Sequence, residues 1–128
     1  MNAGTSTIIT GSRLHFGPLA WKPRQGRDFG GWGVMLETPR TVVRVGQFDT
    51  VAERQSHSQA RADDILNRVL KPLDVEERAG VRVIVDEEPP PHGGFGSGTQ
   101  LALAIAAGVH FLKDGERPSA AELARTTG

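Results

Sequence analysis

The alternation of apolar and polar residues predicts that the chain begins with a β-strand. In the segment 7–16, Leu14 and Phe16 fall on one face of such a strand, and Arg13 and His15 fall on the other. A period of two residues is the pattern of a strand buried on one side only. The sequence therefore predicts a half-buried strand here, with a polar pair on its second face.

The next apolar runs lie at 34–37 and 41–45, after a segment 17–33 that is rich in glycine, proline and cations. The composition of 17–33 predicts a long loop. Thr38-Pro39-Arg40 separates the two apolar runs. Because a short turn containing proline between two apolar runs is typical of a hairpin, we expect the chain to reverse there.

Helical spacing appears in the second half of the chain. A stripe at i, i+3, i+4, i+7 and i+8 predicts a helix that ends at Pro72, and its members are Ala62, Ile65, Leu66, Val69 and Leu70. The segment 81–86 reads as a strand, with Val81, Val83 and Val85 on one face and Ile84 on the second, which favours a central position in a sheet. Further helices are expected from Ser97 to Lys113 and from Ser119, which has capping-box spacing to Glu122.

The order of these elements predicts an α+β fold, as a two-layer α/β sandwich, and a single domain over 1–128. The chain ends a few residues into its last predicted helix. We therefore expect an N-terminal domain that is followed by a C-terminal one.

The composition of the chain excludes several classes of partner and binding site. The 128 residues carry 15 cationic and 15 acidic side chains and no cysteine. A balanced charge argues against nucleic acid or an anionic membrane surface as partner, and the absence of cysteine excludes disulfides and thiolate metal sites. With neither a membrane-length apolar run nor a signal-peptide pattern at the start, a cytoplasmic location is expected.

A glycine-rich loop is the strongest indication of a ligand-binding site in the sequence. Four glycines lie between 93 and 98, and residues 99–112 after them contain no charged side chain. Glycine leaves backbone N–H groups unobstructed, and the N-terminus of a buried helix attracts negative charge. We favour phosphate or pyrophosphate binding over a plain tight turn. The expected ligand-binding residues are Gly93, Gly94, Phe95, Gly96, Ser97, Gly98 and Thr99.

Two familiar phosphate-binding loops do not fit this segment. In a P-loop that opens at Gly93, the lysine would fall on Thr99. In the dinucleotide fingerprint that begins at Gly94, Thr99 would replace the third glycine.

The segment instead resembles the second motif of the GHMP kinase superfamily, Pro-x-x-x-Gly-Leu-Gly-Ser-Ser/Gly. It reads here as Pro90, then 91–93, then Gly94-Phe95-Gly96-Ser97-Gly98, with phenylalanine in place of leucine. The longer string "PHGGFGSGTQLALAIA", together with "SRLHFG", "GGWGVMLETP" and "ELARTTG", resembles the β-ribofuranosylaminobenzene 5′-phosphate synthases within that superfamily. The likeness covers nearly the whole chain.

The resemblance implies an activity. Such synthases condense phosphoribosyl pyrophosphate with 4-aminobenzoate or 4-hydroxybenzoate and release carbon dioxide and pyrophosphate, on the route to tetrahydromethanopterin in one-carbon metabolism. It implies Mg²⁺ with the diphosphate and a second domain that completes the active site, so the 128-residue chain alone is expected to be inactive. An ATP-dependent small-molecule kinase of the superfamily and a catalytically silent fragment remain alternatives, and a homodimer is a candidate assembly.

For several other residues, more than one interpretation of their role stays open. Arg13 and His15 are expected to act on the substrate as catalytic residues, with a solvent-facing strand edge as the alternative. The cations of the predicted loop (Lys22, Arg24 and Arg27) could close over an anion as a lid or lie on a solvated surface. Trp21 and Trp32 could stack on an aromatic acid or pack against the fold. Asp28, Glu87 and Glu88 are weak magnesium candidates, and the four histidines lack metal-ligand spacing, so no metal ligand is assigned.

Overall fold

The computed structural model describes residues 4–21, 25, 29–48 and 56–127. Its elements in chain order are β1 (Thr5–Trp21), β2 (Phe29–Gln47), α1 (Gln59–Leu70), α2 (Val75–Arg78), β3 (Val81–Glu87), α3 (Ser97–Asp114) and α4 (Ala120–Thr127). The three strands form an antiparallel sheet in the order β1-β2-β3. The predicted α+β class is confirmed, whereas the two-layer sandwich and the domain limits stay predictions. Among the described helices, none combines the length and the apolar character that a membrane span requires.

The predicted hairpin at Thr38-Pro39-Arg40 is wrong, because β2 passes through these residues as one strand. The chain reverses earlier, between β1 and β2, so much of the predicted loop 17–33 is strand. Thr10 pairs with Thr41 and Ser12 with Leu36, so four residues of β2 bulge out opposite a single residue of β1. Proline lacks an N–H for the ladder, and a bulge is a position where a strand tolerates that loss. The Ser12 hydroxyl donates a hydrogen bond to the Pro39 carbonyl inside this bulge.

One face of the sheet carries the hydrophobic core. Val43 and Val45 of β2 pair with Val85 and Val83 of β3, and all four are buried. The apolar stripe predicted for α1 is buried as expected, together with one side of α3, and these side chains form one cluster with the valines. Burial of this apolar surface is the main force that holds α1 and α3 on the sheet.

The opposite face of the sheet is mixed where β2 meets β3, because it carries the buried Ile84 as well as an ion pair. Arg44 donates hydrogen bonds to both carboxylate oxygens of Asp86, at 2.6 and 2.9 Å. The hydrogen bond to Asp86 raises the pKa of Arg44, so the guanidinium group stays charged. β3 has a partner strand on one side only within the described sheet, so the central position predicted for it is wrong.

The position of α3 is fixed by two close approaches to the sheet. A Cβ at Gly108 would lie 2.8 Å from Cγ2 of Val45 and 3.5 Å from Cγ1 of Ile8, so the middle of α3 rests on β1 and β2. At its other end, Gly96 lies beside Arg13, five residues farther along β1 than Ile8. The helix therefore runs back along β1, and its N-terminal end faces the outer part of the β1–β2 hairpin. We call this part, residues 12–21 and 29–36, the hairpin arm.

Candidate anion-binding site

The loop that joins β3 to α3 has the backbone geometry that its glycines predicted. φ is +72° at Gly94 and +64° at Gly96, in the left-handed region that side chains disfavour. His92 also has a positive φ, of 59°, and is exposed. Positive φ at a non-glycine residue costs free energy, and such strain concentrates at functional sites. His92, Gly94 and Gly96 thus all have left-handed backbone conformations, immediately before the first turn of α3.

The first turn of α3 has no side-chain cap. Gly96 is the N-cap residue and makes no side-chain hydrogen bond, and α3 has no acidic residue in its first turn. The first N–H groups of a helix have no partner inside the helix and carry the positive end of its dipole. Most of the helix behind them is buried and apolar. The amides of Ser97, Gly98 and Thr99 therefore have no partner inside the helix, and their predicted role in binding an anion stays a prediction.

Arg13 is held next to this turn, as predicted from the strand. Its backbone N–H donates to the Phe95 carbonyl at 2.9 Å, which fastens the loop to the outer edge of β1. A Cβ at Gly96 would lie 3.6 Å from Cβ and 3.8 Å from Nε of Arg13. The guanidinium group of Arg13 therefore lies beside the N-cap of α3. The catalytic role expected for this residue stays a prediction.

A second arginine, Arg61, approaches the same turn and was not expected from the sequence. A Cβ at Gly98 would lie 2.6 Å from Nη2 and 3.0 Å from Cζ of Arg61, so the guanidinium of this α1 residue covers Gly98. One signal could have pointed to it. Arg61 is in the first turn of α1, where the helix dipole disfavours a cation, so its charge has a local cost that calls for another explanation.

Neither guanidinium is neutralised by a carboxylate within the part of the chain that the structure describes. The guanidinium groups of Arg13 and Arg61 and an uncapped helix N-terminus therefore meet around Gly96 and Gly98. Each of them favours negative charge, and the Coulomb terms add at short range. The arrangement suits a small, multiply charged anion.

His15 does not contact the loop. It is exposed on the hairpin arm, where its Nδ1 accepts a hydrogen bond from the Gly17 N–H at 3.2 Å. Its ring lies over Gly31, at which a Cβ would be 2.4 Å from Nε2. The structure thus brings Arg13, but not His15, to the glycine loop. The catalytic role expected for His15 stays a prediction.

The described carboxylates do not assemble a metal centre. Within the described ranges, no group of three or more His, Asp or Glu side chains could hold a metal ion. Glu87 pairs with Arg40 at 3.0 Å, and Glu88 accepts a hydrogen bond from the His57 N–H at 2.8 Å. Asp28 and the proposed lid cations Lys22, Arg24 and Arg27 lie outside the described residues, as does the Trp21 side chain.

The chain is also similar to a known protein family. The model of the GHMP kinases N terminal domain matches residues 61–128, which is more than half of the chain. The chain belongs to this family. The matched range contains the glycine loop, α3 and Arg61 together.

Two relatives extend the match to most of the GHMP-type chain. It is 30% identical over 131 aligned residues to the beta-ribofuranosylphenol 5'-phosphate synthase of Methanocaldococcus jannaschii, covering 94% of the chain and 40% of the relative. It is 33% identical over 133 residues to the protein of the same name from Methanothermobacter thermautotrophicus, covering 94% of the chain and 39% of the relative. The resemblance to this branch is confirmed. The chain spans about 40% of the length of these relatives.

A shorter match connects the chain to a protein named for different chemistry. The sedoheptulose 1,7-bisphosphatase of Saccharomyces cerevisiae is 39% identical over 61 residues, which is 45% of the chain and 22% of that relative. Because it leaves more than half of the GHMP-type chain unmatched, it does not alter the family assignment.

Proposed function

We propose that this chain is the pyrophosphate-binding part of an enzyme that transfers a phosphoribosyl group to an aromatic acid. The observation that carries the proposal is the uncapped N-terminus of α3 between Arg13 and Arg61, neither of which pairs with a carboxylate among the described residues. The similarity to the two synthases supports a diphosphate as the anion. The anion would be the diphosphate of phosphoribosyl pyrophosphate.

The reaction we propose balances without an external oxidant or reductant. A ring carbon of the benzoate attacks C1′ of phosphoribosyl pyrophosphate, and the bond from C1′ to the pyrophosphate oxygen breaks. The bond from that ring carbon to its carboxyl group then breaks, carbon dioxide leaves, and its electron pair restores the aromatic ring. The relatives are named for a ribofuranosylphenol phosphate, which favours 4-hydroxybenzoate over 4-aminobenzoate as acceptor. The product would serve tetrahydromethanopterin synthesis in the cytoplasm.

The residues of the site have distinct parts in this proposal. The amides of 97–99 donate hydrogen bonds to the departing pyrophosphate, and Arg13 and Arg61 offset the charge that develops on it. Such preorganised donors lower the barrier because they already point to where charge appears in the transition state. Mg²⁺ would arrive bound to the diphosphate and neutralise part of its charge, since the described residues provide no carboxylate cluster for it.

The alternative is an ATP-dependent kinase of the same superfamily, which the name of the matching family model supports. Isothermal titration in the presence of magnesium separates the two. The synthase proposal predicts tighter binding of phosphoribosyl pyrophosphate than of ATP. A preference for ATP would favour the kinase, and binding of neither ligand would contradict the anion site itself.

Catalysis is expected to need the rest of the enzyme. We predict that the 128-residue chain binds phosphoribosyl pyrophosphate but does not consume it with 4-hydroxybenzoate. Release of carbon dioxide by this chain alone would show that the second domain is dispensable, and would exclude the silent-fragment alternative.

A further inference from the structure

The outer edge of β1 borders an open groove beside an apolar face of α3. Within the described sheet, β1 pairs with β2 alone. The groove has a volume of about 490 Å³ and runs along residues 7–10 of β1, and on the helix side it is lined by Leu103, Ala107 and Phe111. Because these three residues are spaced by four positions, they form one stripe on α3, which we call the α3 stripe. Phe111 is 47% exposed, so the stripe is only partly covered.

Three residues of this edge point their backbone groups away from β2. The Gln47 N–H donates to the Gly4 carbonyl at 3.3 Å, so these two residues form a hydrogen-bonded pair of the antiparallel ladder. Hydrogen-bonded and non-hydrogen-bonded pairs alternate along such a ladder, and the register of the following residues has no shift before the bulge. The N–H and C=O groups of Thr5, Thr7 and Ile9 therefore face outward.

This part of the edge lacks the features that keep strand edges from pairing. Residues 5–10 read Thr-Ser-Thr-Ile-Ile-Thr, with neither a charged side chain nor a proline. Natural proteins usually protect an open edge with charges, proline, a bulge or a covering element. Among the described residues, the glycine loop covers the edge farther along, where the Phe95 carbonyl accepts a hydrogen bond from the Arg13 N–H. The edge at 5–10 thus suits an uncharged strand as its partner.

A second copy of the chain fits this edge in one two-fold register. If the symmetry axis passes through Thr7, the two Thr7 residues face each other and Thr5 faces Ile9 of the partner subunit. All three outward-facing residues of each copy then form hydrogen-bonded pairs, which gives about six hydrogen bonds between the copies. A shift by two residues would place one of the three opposite the bulge at Gly11 or beyond the start of β1.

The same symmetry brings the two α3 helices to packing distance. α3 lies over the boundary between β1 and β2, because a Cβ at Gly108 would contact both Ile8 and Val45. Neighbouring strands are about 4.8 Å apart, so α3 is about one strand spacing from the axis and the two helices are about 10 Å from each other. Packed helices lie about 8–10 Å apart. The α3 stripe borders the groove at the edge of β1, so the two stripes would meet across the axis.

We infer that this surface is a dimer interface, in which β1 of two copies pairs antiparallel across a two-fold axis at Thr7 and the α3 stripes pack against each other. The paired strands join the sheets of both copies into one, as in other complexes that form by strand addition. Backbone pairing fixes the register, and burial of the stripes drives association. The interface is independent of the proposed function, since it uses neither the glycine loop nor the arginines beside it.

Cysteine cross-linking tests the register, because the chain has no cysteine of its own. Directly opposed residues of a hydrogen-bonded pair have Cα atoms about 5.5 Å apart, within the range of a disulfide. Thr7→Cys should therefore give a disulfide-linked dimer on mild oxidation with diamide, seen in non-reducing electrophoresis. Thr5→Cys is the matched control, because the two substituted positions would lie about 13 Å apart along the strands. Equal cross-linking of the two variants, or none in Thr7→Cys, would overturn the inference.

Sedimentation velocity tests the association itself. The unmodified chain should be a dimer that dissociates on dilution. Thr7→Pro should weaken association by about tenfold or more, because it removes an outward N–H and the bond that this group would make at the axis. The ladder to β2 does not use this N–H, so the far-UV circular dichroism should stay unchanged. A chain that is monomeric at every concentration would contradict the interface and leave the edge to a different partner.

A lysine substitution in the α3 stripe tests the contribution of the helices without altering the strand. Phe111→Lys should weaken association about tenfold, because it places a charge in an apolar contact and removes an aromatic ring from it. Val75→Lys is the control, since Val75 is 68% exposed on α2, and it should leave association unchanged. An equal loss in both variants, or none in Phe111→Lys, would overturn the inference.

Discussion

The two ends of α3 differ in whether the protein itself caps their free backbone groups. At the C-terminal end, Gly115 adopts the left-handed conformation at φ +73°, and its N–H donates to the Phe111 carbonyl at 2.9 Å. At the N-terminal end, Gly96 also has a left-handed conformation, but no side chain caps the helix. The protein therefore satisfies one end of the helix with its own groups and leaves the donors of the other end available.

The residues around the two ends of α3 differ in the same way. Beyond Gly115 the chain enters α4, whose start is closed by the Ser119 and Glu122 side chains. Within the described part of the chain, the charged side chains found next to Gly96 and Gly98 are those of Arg13 and Arg61, which are hydrogen-bond donors like the helix amides themselves. Donors cannot satisfy donors, so the amides at this end are left to water or to a ligand. This difference is why we propose the N-terminal end of α3 as the anion site and a purely structural role for Gly115 at the other end.

Substitution of the two helix-end glycines by valine should give the largest difference. Both residues have positive φ, so Gly96→Val and Gly115→Val should each destabilise the fold by about 1–2 kcal/mol. Gly96→Val should in addition abolish pyrophosphate binding, because its side chain and the altered backbone obstruct the amides. Isothermal titration and thermal melting measure the two effects separately. If Gly96→Val retained affinity, or Gly115→Val lost it equally, the two ends would not differ in function.

Removal of a single positive charge near the N-terminus should have an intermediate effect. Arg61→Gln and Arg13→Gln should each weaken pyrophosphate binding about tenfold, in line with the roughly 1.5 kcal/mol of a hydrogen bond to a charged group. Arg68→Gln is the control, since Arg68 is exposed in the last turn of the same helix as Arg61. An equal loss in Arg68→Gln would mean that net charge, and not the position of Arg61, determines the affinity.

A defect at the N-cap of α4, which follows the capped C-terminal end of α3, should change stability alone. Ser119 receives a hydrogen bond from the Glu122 N–H at 3.3 Å and donates its own hydroxyl to the Glu122 carboxylate at 2.7 Å. Ser119→Ala should therefore cost about 1 kcal/mol of stability, the usual value of an N-cap. Pyrophosphate affinity should stay as it is in the unmodified chain. Chemical denaturation measures the first quantity, and a parallel loss of affinity would show that the two ends are coupled.

The smallest expected effect is a pH dependence at this same cap. The hydrogen bonds from Ser119 lower the pKa of Glu122 below its ordinary value. A carboxyl whose pKa is lower in the folded state stabilises the fold above its unfolded pKa of about 4.3, and this stabilisation is lost as the pH falls through the folded pKa. The melting temperature of the unmodified chain should exceed that of Glu122→Gln near neutral pH, and the gap should close in acid. A gap that is constant with pH would contradict this role.

The sequence predicted the parts of the fold that depend on local pattern. The stripe on α1, the strand β3, the helix after the glycine loop and the cap at Ser119 were all visible, because each follows from spacing along one segment. The course of β2 was missed because Pro39 resembles a turn, and only pairing with β1 shows that it lies in a bulge. The short helix α2 was not predicted at all.

The candidate site also has parts that the sequence predicts and parts that depend on tertiary packing. Gly96 and the amides after it could be predicted because the loop and the helix are adjacent in sequence. For Arg61 the sequence offers only an unfavourable charge in the first turn of α1, since its approach to Gly98 depends on how α1 packs against α3, two elements separated by α2 and β3. The alternation along β1 predicts Arg13 as a polar site residue, but its place beside Gly96 results from the tertiary hydrogen bond between its N–H and the Phe95 carbonyl.

The central claim is that the free amides at the start of α3 bind a multiply charged anion. The most direct measurement is a titration of the ¹⁵N-labelled chain with pyrophosphate, followed by amide chemical shifts. We predict saturable shifts for the amides of Ser97, Gly98 and Thr99, with the Gly115 amide unmoved. Shifts confined to other parts of the chain, or none at saturating pyrophosphate, would contradict the account.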